Sequence, residues 1–152
     1  MSVETVKNFF HMKGKTVPIL KFEDTSTVAK AAESLGVTPG EIAKSLFLQV
    51  QGDFVMVLMA GDKRLDNRKF KDAFNGKPKM PEVEQVLELT GHPVGGVCPF
   101  GLRQEIPVYL DESLKKYSVV YPAAGAPDAA VKLTVVELEE LVATGWVNVA
   151  QD

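Results

Sequence analysis

The chain has 152 residues, 45% hydrophobic and 24% charged, with a net charge of −3 and one cysteine. With no linker-like, repetitive or low-complexity stretch, residues 1–152 read as a single domain large enough for its own core. The composition excludes a membrane span, which needs ~20 apolar residues in a row, an intramolecular disulfide, and a protein that coats nucleic acid by charge alone.

Residues 1–15 mix polar and apolar side chains and lack the apolar stretch and cleavage site of a secretory signal, so the expected location is the cytoplasm. Ser2 can cap a first helix whose apolar face is Val3, Val6, Phe9 and Phe10, closed by Gly14. Residues 17–22 read as a strand with Pro18 near its start, an edge-strand feature. A second helix is expected over 26–35, with Val28, Ala31, Ala32 and Leu35 on one face and Gly36 as its stop.

Thr38-Pro39-Gly40-Glu41 is a capping box opening one helical turn. Residues 44–50 and 54–60 are strand-like runs joined by Gln51-Gly52-Asp53, a hairpin signal, and this pair is expected at the centre of the sheet. Asp66 caps a basic helix ending at Gly76, and 81–90 forms another helix with Gly91 after it. Beyond the glycine- and proline-rich loop 94–101, strands are expected at 107–110 and 118–121, with a short helical piece at 111–116 between them. Another strand is expected at 129–133. Thr134-Val135-Val136-Glu137 is a second capping box, opening a helix that ends at Gly145, and 146–149 closes the chain as a strand. Hairpins among interleaved helices predict a mixed α/β fold rather than a purely parallel sheet.

Charge is uneven. Lys63, Arg64, Arg68, Lys69, Lys71, Lys77 and Lys79 face only Asp66 and Asp72, a local net of +5 within a total of −3, which leaves −8 for the remainder. This stretch is either a solvated helix face or a phosphate-contacting patch beside a site. His11, His92 and Cys98 have no paired-ligand spacing, so no metal and no cofactor is expected. His92 directly after Gly91 reads as a helix-end contact. No G-x-S-x-G, P-loop or G-x-G-x-x-G is present.

Three features carry chemistry. Lys44 opens an apolar strand. It is either a snorkelling strand-end lysine or a cation that binds phosphate or stabilises developing negative charge. The loop Gly95-Gly96-Val97-Cys98-Pro99-Phe100-Gly101 is either a tight turn or a source of backbone donors that a ligand can approach closely. Within it, Cys98 is a small buried residue, a pocket-lining one, or a nucleophile.

Taken together, Ile42-Ala43-Lys44-Ser45-Leu46, Gly61-Asp62-Lys63-Arg64-Leu65-Asp66 and Thr90-Gly91-His92-Pro93-Val94-Gly95-Gly96-Val97-Cys98-Pro99-Phe100-Gly101 resemble the YbaK family. That family includes free-standing aminoacyl-tRNA deacylases and the editing domain of bacterial prolyl-tRNA synthetases. The resemblance spans residues 17–149 in order. It implies a compact mixed α/β domain with a curved, partly barrel-like sheet flanked by helices. The implied pocket takes the terminal aminoacylated adenosine of tRNA. Lys44 matches the family's essential lysine. Gly95 to Pro99 matches its GxxxP loop, and with Gly96, Phe100 and Gly101 the loop is expected to hold substrate. Ala124 and Gly125 stand where relatives carry a small-residue motif lining the same pocket. Cys98 stands where relatives often have serine or another small residue, which leaves the preferred amino acid open. Lys63, Arg64, Arg68 and Lys69 would meet acceptor-stem phosphates, with help from a synthetase partner, and the chain is expected to act as a monomer.

The function implied is a trans-editing hydrolase that removes a small amino acid (alanine, serine, cysteine or threonine), with tRNA-Pro among the candidate carriers. The alternatives are a regulatory binding module that keeps the pocket without useful turnover, and a hydrolase of another small ester or nucleotide.

Overall fold

The computed structural model describes residues 2–23 and 27–152. Helix α1 (Ser2–Met12) turns Val6 and Phe10 into the core, and Gly14 follows at φ 71°. Strand β1 (Leu20–Lys21) is shorter than the expected 17–22. It lies off the main sheet, where the two-residue β6 (Ala129–Ala130) is its only ladder partner among the described residues. Helix α2 (Val28–Leu35) is capped by Thr27, whose side chain accepts from the Lys30 N–H, and ends at Gly36 at φ 73°. The expected start at Ser26 lies outside the described residues.

The capping box at Thr38 and Glu41 forms as expected and leads through a 3₁₀ turn (Pro39–Glu41) into β2 (Ile42–Val50). That strand pairs antiparallel with β3 (Asp53–Ala60) from Val50 opposite Asp53 to Ala43 opposite Ala60. Gln51 and Gly52 take φ 50° and 84°, both positive, as a two-residue hairpin turn requires.

Helix α3 (Asn67–Phe74) is capped by Asp66 and stops at Asn75, at φ 60°, one residue before the expected Gly76. Asparagine tolerates the left-handed conformation. Gly76 answers a different need, since a Cβ there would meet Val50 Cγ2 at 2.7 Å. Helix α4 (Val83–Thr90) starts two residues later than expected because Glu82, boxed with Gln85, is the cap.

Strand β4 (Val108–Asp111), a 3₁₀ turn (Glu112–Lys116) and β5 (Val119–Pro122) follow as expected. The single strand expected at 129–133 is two, β6 and β7 (Leu133–Thr134), which pair with different partners. Helix α5 (Val135–Val142) opens on the Thr134 capping box and ends at Ala143 rather than Gly145. Gly145 instead begins β8 (Gly145–Val147).

The main sheet has the order β7-β5-β2-β3-β4-β8. Antiparallel β2–β3 and β5–β7 combine with parallel β2–β5, β3–β4 and β4–β8. The sheet is therefore mixed, with the hairpin at its centre, and it curves into a half-barrel. Both faces of β3 are covered, which explains its unbroken apolar run. Met56, Leu58 and Ala60 pack with Val6, Phe10, Phe100 and Leu138, while Val55, Val57 and Met59 pack with Phe70 and Val149. Among the described residues, no helix is long and apolar enough to cross a membrane.

Candidate functional site

A cavity of about 270 Å³ lies between α2, the outer edge of β2 and the loops that follow α4 and β5. Val28, Ala31 and Leu35 of α2 form one wall, and Ala43, Lys44, Ser45, Leu46 and Phe47 of β2 form the floor. Val94, Gly95 and Val97 come from one loop, Tyr121, Ala123 and Pro127 from the other, and Met80 and Val86 from the α4 side. No aspartate, glutamate, histidine or cysteine among the described residues lines it. Among the described residues, no three such groups cluster where they could hold a metal ion.

Among the described residues, Lys44 is the cavity's one charged side chain. It is half-buried, and its ammonium donates to the carbonyl oxygens of Gly61 (3.5 Å) and Lys63. Burial lowers its pKa, Asp62 pulls it back up, and Arg64 lowers it further. The Gly61–Lys63 turn thus fixes the position of the charge while leaving one of the three ammonium donors for a ligand. Beside it, Ser45 Oγ is shielded from solvent and has no hydrogen-bond partner among the described residues.

The predicted loop residues divide sharply. Gly95, at φ 96°, lines the cavity. Gly96, Cys98, Pro99, Phe100, Gly101, Ala124 and Gly125 are not part of the lining. Gly96 and Gly125 form a backbone clasp: the Gly125 N–H donates to Gly96 O at 3.1 Å, and a Cβ on Gly96 would sit 2.4 Å from the Gly125 and Ala126 backbone. The closeness that makes glycine necessary there is therefore to another loop. Gly101, at φ 67°, leaves no room for a Cβ against Thr5 Cγ2, 2.6 Å away. Ala124 and Pro99 are buried, and Phe100 packs against Phe9 and Phe10 at ring-centroid distances of 5.7 and 4.8 Å.

Cys98 is fully buried, and burial pushes its thiol up to about 12. At neutral pH it is a thiol behind the cavity wall, which removes the nucleophile reading.

His92 does more than touch a helix end. It is fully buried, and burial lowers its pKa, so the ring is neutral. Its Nε2–H donates to Phe100 O at 2.7 Å, which leaves Nδ1 to accept from the Ser2 hydroxyl. The histidine ties α1 to the glycine loop. Sequence reading missed this role because Ser2 and His92 are far apart in the chain.

The basic residues also separate. Arg64 and Arg68 are exposed, whereas Lys63 and Lys69 are half-buried. Lys69 is held by Ala150 O at 2.8 Å and by Asp152 at 2.9 Å. Arg68, Lys71 and Lys77 line a separate depression with Asn67, Asp72 and Pro78.

The α2 wall was visible in the sequence only as an apolar stripe. Of the four residues on it, Ala32 alone is buried, and the other three face the cavity.

Known proteins resemble this chain along most of its length. The model of the family described as "Aminoacyl-tRNA editing domain" matches residues 23–141. The uncharacterised protein YwhH of Bacillus subtilis is 41% identical across 100% of this chain and 99% of its own length. A protein of Enterococcus faecalis, provisionally named Cys-tRNA(Pro)/Cys-tRNA(Cys) deacylase EbsC, is 32% identical over 74% of each chain. Proline--tRNA ligase of Bacillus licheniformis is 34% identical over 66% of this chain, which spans 17% of the ligase. A solved structure, described as a provisionally assigned trans-editing enzyme for prolyl tRNA synthetase, superposes with a TM-score of 0.93 at 31% identity, covering 99% of this chain and 98% of that one.

Proposed function

Because this chain belongs to the aminoacyl-tRNA editing domain family, whose members are YbaK-like, we propose that it is a single-domain cytoplasmic hydrolase that removes small, wrongly attached amino acids from tRNA. The observation that carries this reading is a small apolar cavity with one fixed ammonium, Lys44, at its floor. At about 270 Å³ the cavity suits an aminoacyl group with a small side chain, of the alanine, serine, cysteine or threonine class.

The chemistry needs little more. An aminoacyl ester is already activated, so orientation and stabilisation of the tetrahedral oxyanion suffice. Water attacks the acyl carbon, the bond to the ribose oxygen breaks, and the water's proton ends on that oxygen. The products are the free amino acid and an intact 3′ end. Lys44 supplies positive charge to the terminal phosphate or to the developing oxyanion. Arg64 and Arg68 meet the acceptor stem, and a synthetase partner supplies tRNA selectivity that an acidic chain lacks by itself.

The test is deacylation of a panel of mischarged tRNAs by the wild type and by Lys44→Ala. Loss of one small amino acid is expected, with a fall of about 10²-fold or more in the variant, the scale of a lost oxyanion donor. A folded wild type that binds aminoacylated RNA without releasing any amino acid would turn the reading to a binding module.

A further inference from the structure

The floor of the cavity is a strand edge with an unfilled gap. Gln49 exchanges two backbone hydrogen bonds with Lys79, each 2.8 Å, so its N–H and C=O point away from β3. Side alternation along a strand then sends the N–H and C=O of Phe47, Ser45 and Ala43 to the same outer edge. At the near end, β5 fills that edge through Ile42 opposite Tyr121 and Ala43 opposite Pro122. Pro122 has no N–H, which leaves one bonding pattern: the Tyr121 N–H donates to Glu41 C=O, the Ala43 N–H donates to Tyr121 C=O, and the Ala123 N–H donates to Ala43 C=O. The β5 pairing stops at Ala43, and Lys79 begins again at Gln49. Between them, no strand or bridge among the described residues pairs with the edge at Ser45 and Phe47, and both residues line the cavity.

We propose that the aminoacyl group of the substrate fills this gap as one further residue of the parallel ladder. This rests on the hydrolase reading above. The amine donates to Ser45 C=O, and the acyl carbonyl accepts from the Phe47 N–H, repeating two ladder steps further on what Tyr121 does between Glu41 and Ala43, with Ala123 at the step between them. An α-amino acid ester carries this donor and acceptor at the spacing of a peptide residue, so main-chain groups recognise it as they recognise an added strand.

Two observations support the assignment. Among the described residues the cavity offers the ammonium no carboxylate, so carbonyl oxygens are the acceptors they provide. Among the described residues nothing pairs with the outer-edge main-chain groups of Ser45 and Phe47, strong hydrogen-bonding groups in an apolar cavity that a ligand would satisfy. Recognition of this kind ignores the side chain, leaves amino-acid selection to the apolar walls, and aims a fixed N–H at the carbonyl that becomes the oxyanion.

The experiment compares alanyl and des-amino (propionyl) esters on the same acceptor minihelix, each rate divided by its own uncatalysed rate. In parallel, amide exchange is followed by NMR with a minihelix carrying amide-linked alanine, at a concentration that inhibits deacylation competitively. The expected result is a loss of about tenfold or more for the propionyl ester, the scale of one hydrogen bond to a charged group, together with slowed exchange at the Phe47 amide. Equal enhancement of both esters, or an unchanged Phe47 amide under full inhibition, overturns the ladder proposal while leaving the hydrolase reading intact. Absence of deacylation of any ester, with the protein folded, overturns the hydrolase reading and this proposal with it.

Discussion

Single residues here owe their character to surroundings the chain brings from far away. Burial lowers the pKa of Lys44 and Asp62 opposes that, while two carbonyls of the Gly61–Lys63 turn fix where its ammonium sits. Cys98 looks reactive in a glycine-rich loop and is inert in the fold, because the core removes the water a thiolate needs. His92 makes the clearest prediction at this scale. Its pKa lies below 6.5 in the folded protein, so the unfolded chain takes up the proton first as pH falls. The stability from the neutral ring is complete above about 6.5 and is lost as pH drops towards the folded value, with a slope of at most about 1.4 kcal/mol per pH unit. Denaturant unfolding between pH 7.5 and 5 should show this slope in the wild type and a flatter one in His92→Gln. An equal slope in both would remove His92 as its source.

At the scale of elements, local signals placed some helix boundaries and missed others: α2 and α4 stop at Gly36 and Gly91 as expected, whereas α4 starts at Val83 rather than at 81. Thr38, Asp66 and Thr134 cap where the sequence places them. In the last, Thr134 Oγ1 accepts from the Glu137 N–H at 3.0 Å, and the Thr134 N–H donates back to the Glu137 carboxylate at 2.9 Å. That backbone N–H holds the Glu137 pKa down, and Lys15 adds to the effect. The contribution is present above the ordinary glutamate range and is lost as pH falls through the lowered value. Thr134→Ala should cost about 1 kcal/mol in denaturant unfolding at neutral pH, and a loss under a few tenths would mean that tertiary packing alone holds α5. The ends of α3 and α5 moved because glycines served other purposes: Gly76 clears Val50, and Gly145 opens β8. Strands 17–22 and 129–133 were misjudged in length for a related reason. A strand ends where its partner does, and β1 and β6 offer each other two residues.

Across the whole molecule, the basic stretch is not one patch. Lys69 is neutralised by Asp152 and Lys63 is half-buried, while Arg64, Arg68, Lys71 and Lys77 are exposed. If the exposed cations meet acceptor-stem phosphates, Arg68→Gln should raise KM for aminoacyl-tRNA with kcat unchanged, and should reduce the dependence of log affinity on log salt by about 1. Lys69→Gln should change the salt slope less, since Asp152 already screens that charge. Equal salt slopes for wild type and Arg68→Gln would remove Arg68 from the RNA-binding face.

The sequence by itself determined the mixed fold, the central hairpin, the helix caps and the lysine at the mouth of β2. These follow from periodicity, turn chemistry and capping, which act within a few residues. It also picked out the glycine loop, but not which of its residues face the cavity. Only the tertiary structure decided that Gly95 lines the space while Gly96 and Gly125 clasp each other, that Cys98 is silenced, and that His92 binds Ser2. The apolar stripe of α2 became a cavity wall, and among the described residues nothing pairs with the edge of β2 between Ala43 and Gln49. Each of these depends on which distant segments come to lie side by side. A local pattern shows that a face is apolar or a strand can pair, but the partner that covers it, or leaves it bare, is settled only when the whole chain packs.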